Sequence, residues 1–600
     1  MRIFMKFFTK LQLQSNKKRI FWTLCVLFFC IADQRLGSAT GEAQLIFTNC
    51  TVIVLALMAL AHYPIRSFRK PACYIWGIFS FVGGAVLWGF GCRQTAYPGH
   101  FSTMILLGII YGFWLLRTLD ALFVEKVRPS MGKWGLLLFA FFFFLTMLSR
   151  YDNHLSPLYL LAFGLFYLTA FTAKERKALL NALIDGIILG FFLVQGLALV
   201  FRPYDTIRYM GMYANPNMNA LLYQAAFCAF LARFCLLEFS APVFSSSAEK
   251  FLFYIKKWGC FLLACCMWTL ALFTMCRSAL LGMGAAALLA LFWCTVRHSC
   301  QKLLHGIKYF GLMLLLIILC FPAVYGIVRY VPPLFHHPVY FYNDYSEERV
   351  HSWDDWNSPK YISWETVLRE NFSRLMDLFP SAWMSEDAEN PSEEITGSIP
   401  EEAEVLPATG KPKAETLIAQ TLSAVPPTDN TLLRELSCPE TAVYQNTFSE
   451  ETASESTPSI EPPAPKMQPQ EELKSTSARL SIYRHYLSSL NVRGHKEQDN
   501  GIQLTQDYFA PHAHNLFLQY AFNYGLPAGI LFLVFIASSG ILLLAAAFRP
   551  KAKNSMKIAA LLPFAATAAF GMTEMMWRFG MLSNLLLFLL PFFAWTSNTD

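Results

Sequence analysis

Long apolar stretches recur along most of the chain, and they limit the environment in which it can fold. A helix of about 20 apolar residues crosses the hydrocarbon core of a bilayer, which is about 30 Å thick. With 55% hydrophobic and only 15% charged residues, the chain carries more apolar side chains than a soluble core encloses. We therefore predict an all-α, polytopic integral membrane protein with about 12 to 14 transmembrane helices and a large extracytoplasmic loop.

The candidate spans follow from the same length criterion. Fourteen segments of the chain qualify, of which the first and the fifth are short. They lie near residues 20–32, 45–63, 73–91, 101–122, 134–148, 155–172, 178–201, 219–239, 258–275, 278–296, 309–328, 516–547, 557–573 and 579–595.

Lysine and arginine distinguish the two sides of the membrane. Connections on alternate sides carry 25 and 7 of these residues, and the richer side is cytoplasmic by the usual charge bias. We predict a multi-pass protein of the inner membrane, with both termini in the cytoplasm and its working surface on the outer side. The basic excess lies beside the spans, so the expected partner is the lipid bilayer and not a nucleic acid.

The predicted spans divide the chain into four regions. Residues 1–200 are N-terminal transmembrane helices, residues 201–330 are helices with outer-face arginine motifs, and residues 514–600 are C-terminal helices. Between them lies the large extracytoplasmic loop, 331–513.

Three segments of that loop differ in pattern. From 386 to 474 it holds 18 acidic and 5 basic residues among many Pro, Ser and Thr, which predicts a disordered insert. Apolar residues at helical spacing predict helices over 361–379 and 477–490. The first of these is amphipathic and suits the membrane surface or a lid over a site.

The first of four polar clusters on the predicted outer side contains Arg208. Its sequence is Arg208-Tyr-Met-Gly211-Met-Tyr-Ala-Asn215-Pro216-Asn217, at the start of a span. Asn215 can cap that helix, and Pro216 suits its first turn. A cap does not explain the guanidinium, which either extends toward the interface or binds an anionic ligand.

Arg277 belongs to the second cluster, a tight turn between two spans, Thr274-Met-Cys276-Arg277-Ser278. An arginine on the outer side runs against the charge bias. It is therefore either a topological anchor at the membrane mouth or a ligand-binding residue.

His512, His514 and Asn515 form the third cluster, directly before an apolar segment. Two histidines at this spacing can bind a metal, but no carboxylate or cysteine cluster beside them completes a coordination shell, and we predict neither a metal nor another cofactor. A neutral imidazole can act as a general base near pH 7. The structural alternative is a histidine satisfied by backbone groups at a helix start.

The fourth cluster, Glu574 with Trp577 and Arg578, lies in the last outer turn. An ion pair that holds the turn explains these residues at least as well as a ligand site, and both alternatives remain open.

Together these clusters point to one chemistry. Two guanidiniums at one membrane boundary suit a diphosphate, because arginine offers permanently charged, bidentate donors. An imidazole beside them can take the proton of an incoming hydroxyl. This combination predicts an enzyme that passes a glycan from a lipid diphosphate carrier to an acceptor.

The same segments resemble a known family. The run from His514 to Gly529, His-Asn-Leu-Phe-Leu-Gln-Tyr-Ala-Phe-Asn-Tyr-Gly-Leu-Pro-Ala-Gly, resembles the hallmark of the O-antigen ligase and polymerase superfamily. Residues 208–217 are similar to its Arg-x-x-Gly-x-x-x-Asn-Pro-Asn element, and residues 274–282 to its Ser-Arg-Ser/Gly turn, with Cys where Ser is usual. Residues 479–483, Arg-Leu-Ser-Ile-Tyr, look like the segment before the histidine, although the usual Gly-rich stretch is reduced to 491–494.

That resemblance implies an inverting, metal-independent glycosyltransferase without a cofactor. It also implies the bacterial inner membrane, with the active face toward the periplasm. Its donor would be an undecaprenyl-diphosphate-linked glycan, with His514 as the catalytic base and Arg208 and Arg277 binding the diphosphate. The acceptor would be a glycolipid such as lipid A core for a ligase, a growing glycan for a polymerase, or a protein for an oligosaccharyltransferase, and we favour the ligase. Secondary site candidates are Arg479, Asn515, His512 and Arg578.

Two other classes of function are compatible with a membrane chain of this kind. A transporter or flippase for a polar lipid usually needs charged residues at mid-span. A scaffold whose acidic insert recruits partners would lose its function if 386–474 were deleted. The mid-span charges here are few: Arg117, Asp120, Asp185 and Arg233.

Overall fold

The computed structural model describes the membrane part of the chain and short pieces of the loop. The described residues all belong to one compact unit. The predicted disordered insert, 386–474, lies outside them. The described ranges are 13–32, 41–151, 155–201, 208–213, 215–239, 244–297, 302–335, 364–376, 476–496, 501–505, 508–549, 556–575 and 581–596.

Helices account for nearly all of this backbone. A bilayer offers no water to bond peptide groups, so they pair within each helix. In chain order the helices are α1 (Leu13–Ala32), α2 (Gly41–Leu60), α3 (Pro71–Gly91), α4 (Pro98–Leu119), α5 (Lys133–Met147), α6 (Leu155–Leu168), α7 (Ala173–Phe201), α8 (Pro216–Glu238), α9 (Ser247–Thr274), α10 (Arg277–Arg297), α11 (Lys302–Leu334), α12 (Trp364–Met376), α13 (Thr476–Ser488), α14 (Leu516–Tyr524), α15 (Leu526–Ala547), α16 (Met556–Gly571) and α17 (Leu582–Trp595).

The predicted class, an all-α polytopic membrane protein, is confirmed. Within the described ranges, nine helices are long and apolar enough to cross a membrane by length and composition. Four further apolar helices are shorter, namely α5, α6, α16 and α17. Every predicted span coincides with a described helix, with one exception.

The exception is the predicted span 516–547, which is two helices. Gly525 separates α14 from α15 with a φ of +94°, a conformation that glycine adopts readily. Pro527 then stands in the first turn of α15. One helix over the whole segment would be about 48 Å long, well beyond the bilayer core, whereas α15 alone has the length of a span.

The loop contributes two helices and a hairpin. The helices predicted over 361–379 and 477–490 are confirmed as α12 and α13. No strand was predicted, yet β1 (Ile502–Thr505) pairs antiparallel with β2 (Tyr508–Ala510). The hydroxyl of Tyr486 on α13 donates to the carbonyl oxygen of Ala510 at 3.1 Å, so the hairpin is attached to α13.

The core surrounds α8. This helix packs against α7, α9, α10 and α16, and most of its side chains are buried. Small residues allow close approach of helices in membranes. Alanine recurs along α8 for this reason, at Ala220, Ala225, Ala226, Ala229 and Ala232.

Two ends of the bundle differ in their chemistry. Gly282, near the start of α10, lies against Ala566, near the end of α16. We call this the His514 end, where α9 and α16 finish and α8, α10 and α14 begin. At the opposite end Lys257 pairs with Glu238, and the indole of Trp293 donates to the carbonyl oxygen of Ala547 at 3.0 Å.

Gly282→Ala is expected to destabilise the bundle. An added Cβ would collide with the Gln224 side chain and lie 2.7 Å from the carbonyl oxygen of Ala566, which belongs to a helix backbone and cannot rotate away. Overpacking of this kind costs about 1–3 kcal/mol. Thermal denaturation in detergent measures the loss.

Gly284→Ala on the same helix is the matched control. There the nearest atom to an added Cβ lies 3.9 Å away, in Trp268. Equal melting temperatures for the two variants would contradict the close approach of α10 and α16.

Candidate functional site

Arg208 joins the start of α8 to the end of α9. Its Nε donates to the carbonyl oxygen of Thr274 at 2.9 Å, and its Nη2 donates to Oδ1 of Asn217 at 2.6 Å. The backbone N–H of Tyr209 donates to the carbonyl oxygen of Phe273 at 2.8 Å. The last carbonyl groups of a helix lack partners within it, so the Arg208 segment satisfies groups that α9 leaves open.

Asn215 caps α8 as predicted. Its side-chain oxygen accepts the backbone N–H of Asn217 at 2.8 Å, and Pro216 occupies the first helical position. Asn217 therefore connects the helix cap to the guanidinium of Arg208.

A buried polar network supports the Arg208 segment. Nε2 of Gln195 donates to the hydroxyl of Tyr209 at 3.1 Å, and the hydroxyl of Tyr223 donates to Oε1 of Gln195 at 2.7 Å. Gly211 has a φ of +56°, and a Cβ there would lie 2.9 Å from the Asn219 side chain. Buried polar groups need partners, so the network holds the segment in one conformation. Sequence reasoning missed it, because no local spacing links these residues.

The turn from Thr274 to Arg277 has a strained backbone. Met275 has a φ of +50°, a region that residues other than glycine rarely adopt. Oγ1 of Thr274 accepts the backbone N–H of Cys276 at 3.3 Å. Arg277 is the first residue of α10, and its side chain is half-buried. Its guanidinium therefore adds a positive charge at the N-terminal, positive end of the α10 dipole. Binding of an anion is favourable at such a helix end.

Cys276 lies between two charged parts of the site. The pKa of its thiol is raised to about 12, first by burial and then by the negative charge of Glu574, while the positive charge of Arg208 opposes the shift. Both charged groups therefore act on one buried sulfur atom.

His514 lies where non-helical backbone leads into α14. Its φ is +46°, and its carbonyl oxygen accepts the hydroxyl of Tyr483 at 3.2 Å. Asn515 caps α14 by accepting the N–H of Leu518 at 2.9 Å, and it donates Nδ2 to the carbonyl oxygen of Met572 at 2.8 Å. His514 is thus held by α13 on one side and, through its neighbour, by the end of α16.

His512 stands beside His514. Their ring centroids are 4.1 Å apart with the planes at 68°. Burial, and then the neighbouring His514, lower the pKa of His512 to about 4. His512 is therefore neutral at pH 7. In the part of the chain that the structure describes, no group of three or more His, Cys, Asp or Glu is arranged to hold a metal ion.

Glu574 follows α16 and is 9% exposed. Its Oε1 accepts Nη2 of Arg479 at 3.2 Å, and its Oε2 lies 3.8 Å from Nδ1 of His514. Nη1 of Arg479 also donates to the carbonyl oxygen of Thr573 at 3.2 Å. Burial raises the pKa of Glu574, but the imidazole of His514 and the guanidinium of Arg479 outweigh it, so the pKa lies below its ordinary value. The group is a buried carboxylate.

The structure brings together predicted residues that lie far apart in the sequence. Hydrogen bonds and electrostatic contacts lead from Arg208 through the Thr274–Arg277 turn to Glu574 and His514. Arg578 lies outside the described residues, and its role stays a prediction. The predicted site residues at the His514 end are Arg208, Arg277, Arg479, His512, His514 and Asn515.

Sequence reasoning did not connect Glu574 with His514. It left open an ion pair within the last turn or a ligand site, and the partners that the structure describes are Arg479, 95 residues earlier, and His514. No spacing rule joins residues so distant. The available signal was an acidic residue in a short connection on the predicted outer side.

Comparison of the chain with protein-family models, with curated proteins and with solved structures finds no match. The assignment of a function therefore depends on the geometry of the site and on the sequence resemblance.

His512→Gln is expected to make the fold less sensitive to acid. The pKa of His512 is about 4 in the folded protein, against about 6.5 for an exposed histidine. At a pH between these two pKa values, position 512 binds a proton in the unfolded chain but not in the folded protein. The wild type therefore loses stability as the pH falls through this window. The glutamine variant lacks that contribution. Melting temperatures measured from pH 7 to pH 4 test the difference.

His485→Gln is the control, because His485 lies exposed on α13. Glu574, whose pKa is lowered, also contributes less stability as acid protonates it. Because the wild type, His512→Gln and His485→Gln all contain Glu574, its contribution is the same in the three curves. A His512→Gln curve as steep as that of the wild type would contradict the prediction.

Proposed function

We propose that the protein is a glycosyltransferase of the inner membrane with its site on the periplasmic face. It moves a glycan from an undecaprenyl-diphosphate carrier to an acceptor hydroxyl, and lipid A core is the favoured acceptor. The proposal makes the chain an O-antigen ligase-like enzyme that acts without a metal.

The observation that carries the proposal is the meeting of three distant segments at one end of the bundle. Arg208 is bonded there to the end of α9, His514 is bonded to α13, and Arg277 is the first residue of α10. Two of these segments contain a residue with positive φ that is not glycine, at Met275 and His514. Such strain costs about 1–3 kcal/mol at each position and persists mainly at functional sites.

The reaction uses these groups in one step. His514 takes the proton of the acceptor hydroxyl, whose oxygen attacks the anomeric carbon of the donor sugar. The bond between that carbon and the phosphate oxygen breaks, and the carrier diphosphate leaves from the opposite face, which inverts the anomeric centre. Arg208 and Arg277 stabilise the negative charge that develops on the diphosphate.

Charged residues inside the spans argue against a transport path. Asp185 contacts both Arg233 and Arg19, and Asp120 contacts Arg117 and Lys70. A transporter site needs charges that meet the substrate near the middle of the membrane. The charges predicted at mid-span are instead engaged with each other, which supports an enzyme at the membrane surface.

His514→Ala is expected to lower glycan transfer by about 10²- to 10⁴-fold, the usual contribution of a general base. Arg208→Ala and Arg277→Ala should instead raise the KM for the lipid-linked donor as well as lower kcat, because they bind its diphosphate. The assays are attachment of surface glycan in cells that lack the native enzyme and transfer from a purified undecaprenyl-diphosphate-linked donor.

His485→Ala is the control, since this histidine is exposed on α13, away from the site contacts. Normal transfer by His514→Ala at equal protein abundance would remove the general-base role. Glycan that grows on the carrier, without attachment to lipid A core, would identify a polymerase in place of a ligase.

Deletion of residues 386–474 is expected to leave glycan transfer within a few-fold of the wild type. The composition of this segment predicts disorder, so we do not expect it to supply a residue of the site. A scaffold that works through the acidic insert would lose its function on the same deletion. Attachment of surface glycan, with membrane abundance measured in parallel, separates the two functions.

A further inference from the structure

The environment of His514 includes a carboxylate that the proposed reaction has not yet used. Glu574 is 9% exposed, and a buried carboxylate is costly unless it is paired and hydrogen-bonded. Arg479 satisfies one oxygen at 3.2 Å. The other oxygen, Oε2, faces Nδ1 of His514 at 3.8 Å.

The imidazole is held so that one nitrogen faces the carboxylate. Its backbone has a φ of +46° and is bonded through its carbonyl oxygen to Tyr483. Nδ1 of His514 is buried and makes no hydrogen bond within the described residues. The gap to Oε2 exceeds a hydrogen bond by about 1 Å, and catalytic hydrogen bonds are often long before substrate binds.

We propose that Glu574 is the positioning residue of His514, with Oε2 accepting the Nδ1–H and Nε2 thereby directed at the acceptor hydroxyl. Arg479 holds the carboxylate in place through Oε1. This inference depends on the proposed function, and it gives Arg479, a secondary site candidate in the sequence, the role of supporting the base.

The proton balance is simple. Nε2 takes the proton of the hydroxyl as the new glycosidic bond forms and the bond to the diphosphate breaks. The imidazolium is stabilised by Glu574, which stays ionised, and it later releases the proton to water. A neutral side chain at position 574 would not stabilise the imidazolium.

Four described groups set the charge around the imidazole. Glu574 approaches from the segment after α16, Arg479 and Tyr483 approach from α13, and His512 approaches from the same segment as His514. Glu574 contributes a negative charge, and Arg479 contributes a positive charge that pairs with it. The carboxyl group of Glu574 is ionised at neutral pH, since its pKa lies below the ordinary value.

Glu574→Gln is expected to lower kcat by about 10²- to 10⁴-fold with little change in the KM for the donor. The acid limb of the pH–rate profile should move to lower pH, because protonation of the imidazole becomes less favourable without the carboxylate. Glu574→Asp should restore part of kcat and return the acid limb toward that of the wild type. The measurement is transfer from a purified undecaprenyl-diphosphate-linked glycan between pH 5 and pH 9.

Glu42→Gln is the matched control, because that carboxylate accepts the N–H of Gly99 at 2.7 Å, outside the site contacts. A wild-type kcat and acid limb in Glu574→Gln would overturn the inference. So would a loss of kcat with an unshifted acid limb and a raised donor KM, which indicates a purely structural role. If Glu574→Gln does not reach the membrane, Arg479→Gln decides, since an unchanged kcat with a raised KM for the donor would make Arg479 a donor ligand and overturn the inference equally.

His514→Ala separates this inference from the proposed function. If His514→Ala is inactive while Glu574→Gln behaves as the wild type, the proposed function stands and only the role of Glu574 is wrong. If His514→Ala transfers glycan normally, the general base itself is wrong, and the role of Glu574 falls with it.

Discussion

The backbone groups at helix ends form the constraint on which the candidate site depends. A helix leaves its first N–H groups and its last carbonyl groups without internal partners, and a membrane boundary supplies water only on one side. At the His514 end, side chains from other segments take up this role. Arg208 bonds the end of α9, Asn515 bonds both α14 and the end of α16, and Arg479 bonds the carbonyl oxygen of Thr573. The same side chains that resemble functional residues therefore also hold the backbone.

This double role has a consequence for chemistry. A residue that satisfies a helix end has a defined position, and a positioned guanidinium or imidazole loses little freedom when a substrate arrives. The left-handed backbone at Met275 and His514 requires the same support, because strained residues persist only where their surroundings determine them. Tyr483 and Asn515 supply it around His514, and Thr274 supplies it around Met275.

Charge is distributed differently at the two ends of the bundle. At the end opposite His514, acids and bases contact one another, as Lys257 and Glu238 do. At the His514 end a buried carboxylate, Glu574, lies between a guanidinium and an imidazole. Ion pairs between helices support packing, whereas a carboxylate beside a histidine changes how readily the histidine takes a proton. The second arrangement suits a reaction that begins with removal of a proton.

The sequence by itself determined the class of the protein, most helix positions and the identity of most candidate residues. Span length, hydropathy and caps are local properties, so Asn215 and α13 could be predicted from short windows. The helix break at Gly525 was missed because an apolar run conceals a change of backbone direction. Only the tertiary structure decided that Glu574 faces His514 and pairs with Arg479. Those contacts depend on how α13, α14 and α16 pack, and packing between residues so distant in the chain follows from the whole bundle and not from any local pattern.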